Sequence, residues 1–378
     1  MLRYFEFAII FLIFLGLNVY VISRLYIMMP AILPLRILLI VSAIIVQLPF
    51  FVSMFWGNSM PTKITSILYI IGTSWIIIFL YLLLIFLFLD IIRLTHLVNI
   101  ERFMVHSWYG WGIFSVLISA ILIIGNINYY KKNRVEINIE TSKPLASQNG
   151  LKIVSISDLH LGYGIGKPEL ENWVRLINAE KPDVVLIAGD VIDNFSKPIF
   201  EDKMYKTFRK INTKFGVFMA LGNHEYIGNI EENLDFLKRA NINVLRDSAV
   251  LINDDFYIVG REDYSRKYRK RLAVITDNLD KTKPIICIDH QPMRLKEARQ
   301  NGVDFQVSGH THYGQIFPLN YIQKLMFEKP YGYTRKGETQ YFITSGLGIW
   351  GGKFRIGTRS EYVVINLIGK QSNEQNIK

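Results

Sequence analysis

The chain has 378 residues, a formal net charge of +11 and a composition that is 50% hydrophobic. That length accommodates two domains of ordinary size, and the basic balance suits a negatively charged partner (membrane surface, phosphorylated substrate or nucleic acid) without choosing among them. The single cysteine, Cys287, excludes an intramolecular disulfide and a thiolate-built metal site, and its apolar surroundings predict a packing role.

The apolar residues are unevenly spread. Four stretches reach the roughly 20 residues of helix that cross a bilayer: Tyr4–Ile22, Ile37–Trp56, Ile64–Leu89 and Trp111–Tyr130. They define a transmembrane region over 1–130. The first is not read as a signal peptide, because no small-residue cleavage site follows it and three more spans do. Pro30 and Pro34 separate the first two spans, and Asn58, Ser59 and Pro61 the next two. Trp108, Trp111, Tyr129, Tyr130, Lys131 and Lys132 flank the fourth with the aromatic and cationic dressing of a membrane interface. Glu6, Asp90 and His106 lie near span ends and nothing polar marks a span's middle, so the region is read as an anchor. Four spans put both termini on one side. Arg3, Lys63, Lys131, Lys132 and Arg134 outnumber Arg24, Arg36, Arg93 and Arg102 by one, which leans the C-terminal domain toward the cytoplasmic face.

Residues 131–150 read as a linker holding one strand, Val135–Ile139. From Leu151 the pattern is that of an α/β domain over 151–368, with a polar tail at 369–378. Strand Leu151–Ile156 precedes a helix at Pro168–Ala179, whose Leu170, Trp173, Val174 and Ile177 share one face. Strand Val184–Ala188, a helix near Phe200–Ile211, strand Gly216–Leu221 and helix Ile230–Ala240 follow. Later strands come nearly in succession: Ala249–Ile252, Phe256–Val259, Pro284–Ile288, Phe305–Val307, Tyr341–Thr344 and Tyr362–Leu367. Early βαβ units with later consecutive strands predict a two-sheet core flanked by helices.

Five of these apolar runs end in oxygen or imidazole ligands: Asp158 and His160, Asp190, Asn223 with His224 and Glu225, Asp289 with His290, and His310 with His312. Ligands gather beyond the carboxyl ends of strands in such sheets. Two divalent cations need a bridging carboxylate, hard oxygen donors and imidazoles to complete each shell. Asp190, from a central strand, is the natural bridge. Asp158, His160 and His312 would complete one ion, and Asn223, His290 and His310 the other. Residues two apart on an extended segment face the same way, so His310 and His312 can serve both ions. His224 adjoins a ligand without needing to be one, a position for a general acid. A water shared by two cations would ionise near neutral pH and attack phosphorus in line with the leaving group. Asp193, Glu225 and Asp289 are candidates for a supporting layer that orients the ligands, although a helix start explains Glu225 equally and a turn cap explains Asp289.

Asp158-x-His160, Gly189-Asp190-x-x-Asp193, Gly222-Asn223-His224-Glu225, His290 and Gly309-His310-x-His312 resemble, in order and spacing, the calcineurin-like metallophosphoesterases. The resemblance covers roughly residues 150–368. It implies a four-layer α/β/β/α sandwich, a metal-dependent phosphoric ester hydrolase and two divalent metal ions (Mn, Fe, Zn or Mg) held as above. Within that superfamily, Gly309–Gln315 and Ser345-Gly346-Leu347-Gly348 with Glu361 look like the bacterial membrane-associated branch, which includes enzymes similar to UDP-2,3-diacylglucosamine hydrolases. Tyr313 departs from the glycine usual there and would line the site mouth.

Arg261 to Arg271 is dense in cations with tyrosines interleaved, so Arg261 and Arg266 are candidates for a substrate's phosphates, against the plainer reading of a solvated basic face. Arg355 is a further phosphate candidate and Tyr313 a further substrate contact. Ile316–Phe327 reads as core, or as an acyl-chain or interfacial contact beside the site. The expected activity is a membrane-anchored phosphoesterase acting on a lipid-linked or nucleotide-linked phosphoester or pyrophosphate. A nuclease or nucleotide phosphodiesterase, and a non-catalytic metal-binding scaffold, are the alternatives. The expected partners are the bilayer and that substrate, not nucleic acid.

Overall fold

A computed structural model describes residues 2–147 and 150–370, and side chains from residue 9 onward except 10 and 11. The side chain of Glu6 lies outside the described ones, and most of the expected polar tail lies outside the described residues. The chain divides into two compact units, 1–125 and 126–378.

In the first unit the expectation of four spans is corrected. Among the described residues, three helical stretches are long and apolar enough to cross a membrane: Leu33–Ser59, Thr62–Thr95 and Trp108–Tyr130. The first expected span lies on helix Leu2–Met28, whose described apolar part, Leu12–Met28, falls short of the roughly 20 residues required. Leu33–Ser59 is itself broken, because Pro49 stands in the first turn of Leu48–Trp56 and supplies no N–H to the preceding helix Leu33–Ile45. Asp90 is held by Arg24 at 2.6 Å and by the Tyr20 hydroxyl at 2.5 Å.

The second unit is built on twelve strands: β1 Lys132–Thr141, β2 Leu151–Ile156, β3 Val184–Ala188, β4 Val217–Ala220, β5 Asn243–Val244, β6 Ser248–Ile252, β7 Phe256–Gly260, β8 Ile285–Ile288, β9 Phe305–Ser308, β10 Gly332–Lys336, β11 Thr339–Ile343 and β12 Ser360–Gly369. They form two six-stranded sheets, ordered β1-β12-β2-β3-β4-β5 and β10-β11-β9-β8-β7-β6. Both are mixed: β12 runs antiparallel to β2, and the outer pairs β10/β11 and β6/β7 are antiparallel, while the central strands are parallel. The expected strand Val135–Ile139 is the middle of β1, whose ten residues pair with β12, so the first half of segment 131–150 belongs to the sheet.

Side-chain alternation makes the layers. Val184, Leu186 and Ala188 of β3 pack inward against Ile258, Ile286, Phe305 and Val307 of the second sheet. Val185 and Ile187 face outward onto Leu170, Trp173, Val174 and Ile177 of helix Lys167–Ala179, the face that periodicity predicts. On the far side, Val259, Ile285 and Cys287 pack against Leu295 and Ala298. A strand buried on both faces is apolar throughout, which is why β3 reads as an unbroken run. The result is the four-layer α/β/β/α sandwich, with the ends of β2, β3, β8 and β9 opening onto one edge.

Candidate metal centre

The chain leaves β2, β3 and β9 through backbone that strands do not use. Asp158, His160, Asp190, His310 and His312 all have positive φ, between 47° and 69°. Side chains rarely adopt this region, and each such residue costs of the order of 1–3 kcal/mol. Five strained candidate ligands on three loops are an observation that calls for a function. The strain turns each side chain back across the sheet edge, and close approach of the loops depends on glycine. A Cβ on Gly222 would overlap the Asp190 carboxylate, and one on Gly309 that of Asp158.

The candidate ligands lie close together. Asn223 Oδ1 lies 2.9 Å from His310 Nδ1 and 3.2 Å from His290 Nε2, which in turn is 3.1 Å from Asp190 Oδ2. On the other side, His160 Nε2 and His312 Nε2 face each other at 3.1 Å, with Asp158 Oδ1 3.5 Å from His312 Nε2 and Asp190 Oδ2 3.9 Å from His160 Nε2. Ligands bound at about 2.1 Å stand about 3.0–3.4 Å apart along the edges of a coordination polyhedron, so the spacing fits a cation in each pocket. The chemistry fits too: lone pairs of imidazole and amide oxygen repel when they face each other, unless a proton or cation lies between. Groups Asp158/His160/His312 and Asp190/His290/His310 could each hold an ion, and His160/Asp190/His224 forms a third such group between them. Asp158, His160, Asp190 and His290 are no more than 2% exposed.

Tautomers and charge states are set by the surroundings. His290 Nδ1–H donates to the Ala188 carbonyl at 2.7 Å, which leaves Nε2 for the pocket. Burial works against a proton on His290, but the fields of Asp190 and Asp158 outweigh it and hold the imidazole well above its usual range. His310 is the opposite case, lowered to about 4 by burial and by the charge of His290. Burial and His160 also hold His312 well below its usual range.

The supporting residues divide sharply. Asp193 Oδ1 lies between two rings, 3.2 Å from His224 Nδ1 and 3.8 Å from His160 Nδ1. Glu225, wholly buried, instead accepts four main-chain N–H groups: Gly222 at 2.7 Å, Val191 at 2.7 Å, Asp190 at 3.0 Å and Ile192 at 3.1 Å. It ties the Asp190 loop to the Asn223 turn. Asp289 turns away from the pocket and takes a paired contact from Arg269, at 2.9 and 2.5 Å, with Arg261 at 3.6 Å.

Of the four residues expected on the substrate, two have their guanidinium groups engaged inside the protein. Arg261 is buried and bonds Glu297 at 2.8 Å and the Lys270 carbonyl at 3.0 Å. Arg355 is wholly buried and donates to the carbonyls of Ser345 (2.6 Å), His312 (2.7 Å) and Gly348 (2.9 Å). Arg266 lies over the Tyr226 ring, 4.4 Å from its centroid, on the helix that carries His224. Tyr313 stacks on Tyr331 at 4.5 Å, and the Tyr331 hydroxyl donates to buried Glu361. The basic segment lines a cavity of about 310 Å³ with Arg261, Arg266, Arg269 and Arg294.

Residues 126–130 form part of this unit and were not foreseen as site support. Asn126 Nδ2 donates to the Lys353 carbonyl and Asn128 Nδ2 to that of Arg355, at 3.0 and 3.2 Å. Fully buried Tyr129 donates to Glu169, which also pairs with Lys353. The two asparagines at the end of an apolar helix are the signal that sequence reading passed over.

Comparison with known proteins agrees with this geometry. The calcineurin-like phosphoesterase family matches residues 151–314. A metallophosphoesterase of Campylobacter jejuni is 33% identical over 267 residues, covering 68% of this chain and 69% of its own. One from Aquifex aeolicus is 36% identical over 240 residues, covering 61% of this chain and 90% of its own. A transmembrane protein with metallophosphoesterase domain from Danio rerio is 30% identical over 281 residues, covering 69% of this chain and 63% of its own. The chain belongs to the calcineurin-like metallophosphoesterases and is a metal-dependent phosphoesterase.

Proposed function

We propose that the protein is a membrane-anchored phosphoesterase with a dinuclear centre, which hydrolyses a phosphoester or pyrophosphate bond of a lipid-linked or nucleotide-linked substrate. The observation that carries the dinuclear reading is the position of Asp190, whose carboxylate belongs to both the His160 and the His290/His310 groups. Two divalent cations bound there would supply Lewis acidity toward phosphoryl oxygens and lower the pKa of water to near neutrality.

The chain's own residues supply the rest. Asp158, His160 and His312 would hold one cation, and Asn223, His290 and His310 the other. His224 is the proton donor. Burial opposes its charge, but the Asp193 hydrogen bond and the fields of Asp190 and Glu225 prevail, raising its pKa above the usual value. An imidazolium so held, with Nδ1 turned to Asp193, presents Nε2 to a departing oxygen. Asp193 is the positioning residue for that ring, and Glu225 keeps the two loops in register.

The lipid-linked part of the reading is supported by the three apolar helices of the same chain. The cytoplasmic face expected for the catalytic unit rests on a count over four spans; with three, Arg3 moves to the side opposite Lys131, Lys132 and Arg134, and the flanking cations no longer favour that face. The test is hydrolysis of an aryl phosphodiester, then of a lipid-linked diphosphate against single-stranded DNA, by the full chain with Mn²⁺ added. Asp190→Asn is expected to abolish turnover. Retained turnover would refute the dinuclear centre, and faster turnover of DNA would move the assignment to a nuclease.

A further inference from the structure

Beside the metal centre lies a surface that the chemistry does not use. Helix Leu319–Met326 buries Asn320 on its inner side and turns Tyr321, Ile322, Leu325 and Met326 outward, with Phe317 just before it. These five are between 48% and 88% exposed, Leu325 most of all. Scattered exposed apolar residues are ordinary; five on one face are not. The four on the helix stand one, three, four and five apart, so they form one stripe rather than a ring.

Three observations identify what covers the stripe. Phe317 N–H donates to the Ile356 carbonyl at 2.7 Å, and Gln315 Nε2 to that of Trp350 at 2.9 Å. The same segment, 350–356, receives Asn126 and Asn128 from the last turns of the apolar helix Trp108–Tyr130. The stripe therefore starts one short loop away from the place where the apolar helix ends, and Ile127 and Tyr130 on those turns are themselves exposed. Lys324 is exposed on the stripe's own helix, with its ammonium 5.0 Å from the Tyr321 ring centroid. Apolar and aromatic groups beside a cation are the dressing of a helix lying in a lipid interface, where the cation meets anionic headgroups.

We propose that Phe317, Tyr321, Ile322, Leu325 and Met326 seat the catalytic unit on the bilayer surface. The consequence is for substrate. Phe327, which ends this helix, meets the ring of the metal ligand His310 at 6.0 Å. A headgroup in the lipid interface is thereby presented at the centre without its lipid leaving the bilayer. The inference rests on the reading of the apolar helices as a membrane anchor.

Cys287 is the sole cysteine and wholly buried, and burial pushes its thiol up to about 12, so an added thiol takes a label alone. Leu325→Cys in the full chain, labelled with an environment-sensitive dye, is reconstituted into vesicles of phosphatidylcholine and phosphatidylglycerol that contain nitroxide lipid. Met326→Cys is the second variant, and Tyr268→Cys, at an 87% exposed position of the basic segment, is the control. The expected result is that nitroxide lipid quenches most of the fluorescence at 325 and 326 and little at 268. Quenching only by a water-soluble agent overturns the proposal, as does equal quenching at all three positions. Shielding from both agents that grows with protein concentration in detergent assigns the stripe to a second copy instead, and also overturns it. Carbonate extraction of the same membranes reads the anchor separately.

Discussion

The guanidinium of Arg355 donates to the main-chain carbonyl of His312 at 2.7 Å, so a wholly buried cation fixes a candidate ligand through its main chain. The same group also bonds the carbonyls of Ser345 and Gly348 and so ties the His312 loop to the β11–β12 connection. Burial lowers Arg355 to about 10, which leaves it charged at neutral pH. Arg355→Lys keeps the charge, but a single ammonium cannot span the acceptors that Nη1 and Nη2 reach separately. The expected outcome is a loss of about 10–100-fold in metal affinity, as for other groups that orient ligands, read by metal titration of the purified protein. Unchanged affinity would reduce the arginine to a packing role.

Asp193→Asn separates orientation from charge. The amide can hold the His224 ring but no longer favours its proton. The His224 pKa then falls, the acid form vanishes at lower pH, and the alkaline limb of the rate profile moves to lower pH. Turnover of an alkyl phosphate, which needs leaving-group protonation, is expected to fall about 10–100-fold. A nitrophenyl phosphate, whose leaving group needs no proton, should suffer less. Equal losses for both would contradict the assignment of His224 as the acid.

Much of this was legible in one dimension, and the reason is burial. Val184–Ala188 is found residue for residue because a strand covered on both faces must be apolar along its length. The candidate ligands stand out because each follows such a strand closely. Edge elements left weaker marks: β5 has two residues, and β10 alternates half-buried with exposed positions. Glu225 and Arg355 were visible as residues but not in their roles, since their partners are main-chain groups from segments far away in sequence. Spacing carries no record of a carbonyl waiting for a donor. Helix Leu319–Met326 was ambiguous for a related reason, because an apolar stripe reads alike whether protein or lipid covers it.

Glu225→Gln tests the loop tie. The carboxylate accepts four N–H groups, whereas an amide offers one oxygen and turns an NH₂ toward main-chain donors. Leaving buried donors unpaired costs about 1–3 kcal/mol each. The thermal unfolding midpoint of the full chain in detergent should therefore drop by several degrees. Metal affinity should fall with it, because Asp190 and Asn223 lose their common support. A variant with both properties intact would return Glu225 to an ordinary helix-start role.

Metal uptake should release a proton, and His290 is the residue that gives it up. His310, lowered to about 4, and His312, held well below its usual range by burial and His160, are neutral at ordinary pH and ready to bind. His290 differs. Asp190, 3.1 Å from its Nε2, holds a proton there in the metal-free protein and raises its pKa well above the usual value. A cation entering beside Asp190 must displace that proton, because a ligand nitrogen has to be deprotonated. The sign follows: below the raised pKa, proton and metal compete, so affinity climbs with pH by about tenfold per unit for one displaced proton. Above it the dependence flattens. Calorimetric titration with Mn²⁺ in buffers of different ionisation enthalpy measures the proton count directly, and His290→Gln should remove both the released proton and the slope. A pH-independent affinity in the unaltered chain would mean that the Asp190–His290 pair is neutralised by something other than the proton inferred from its geometry.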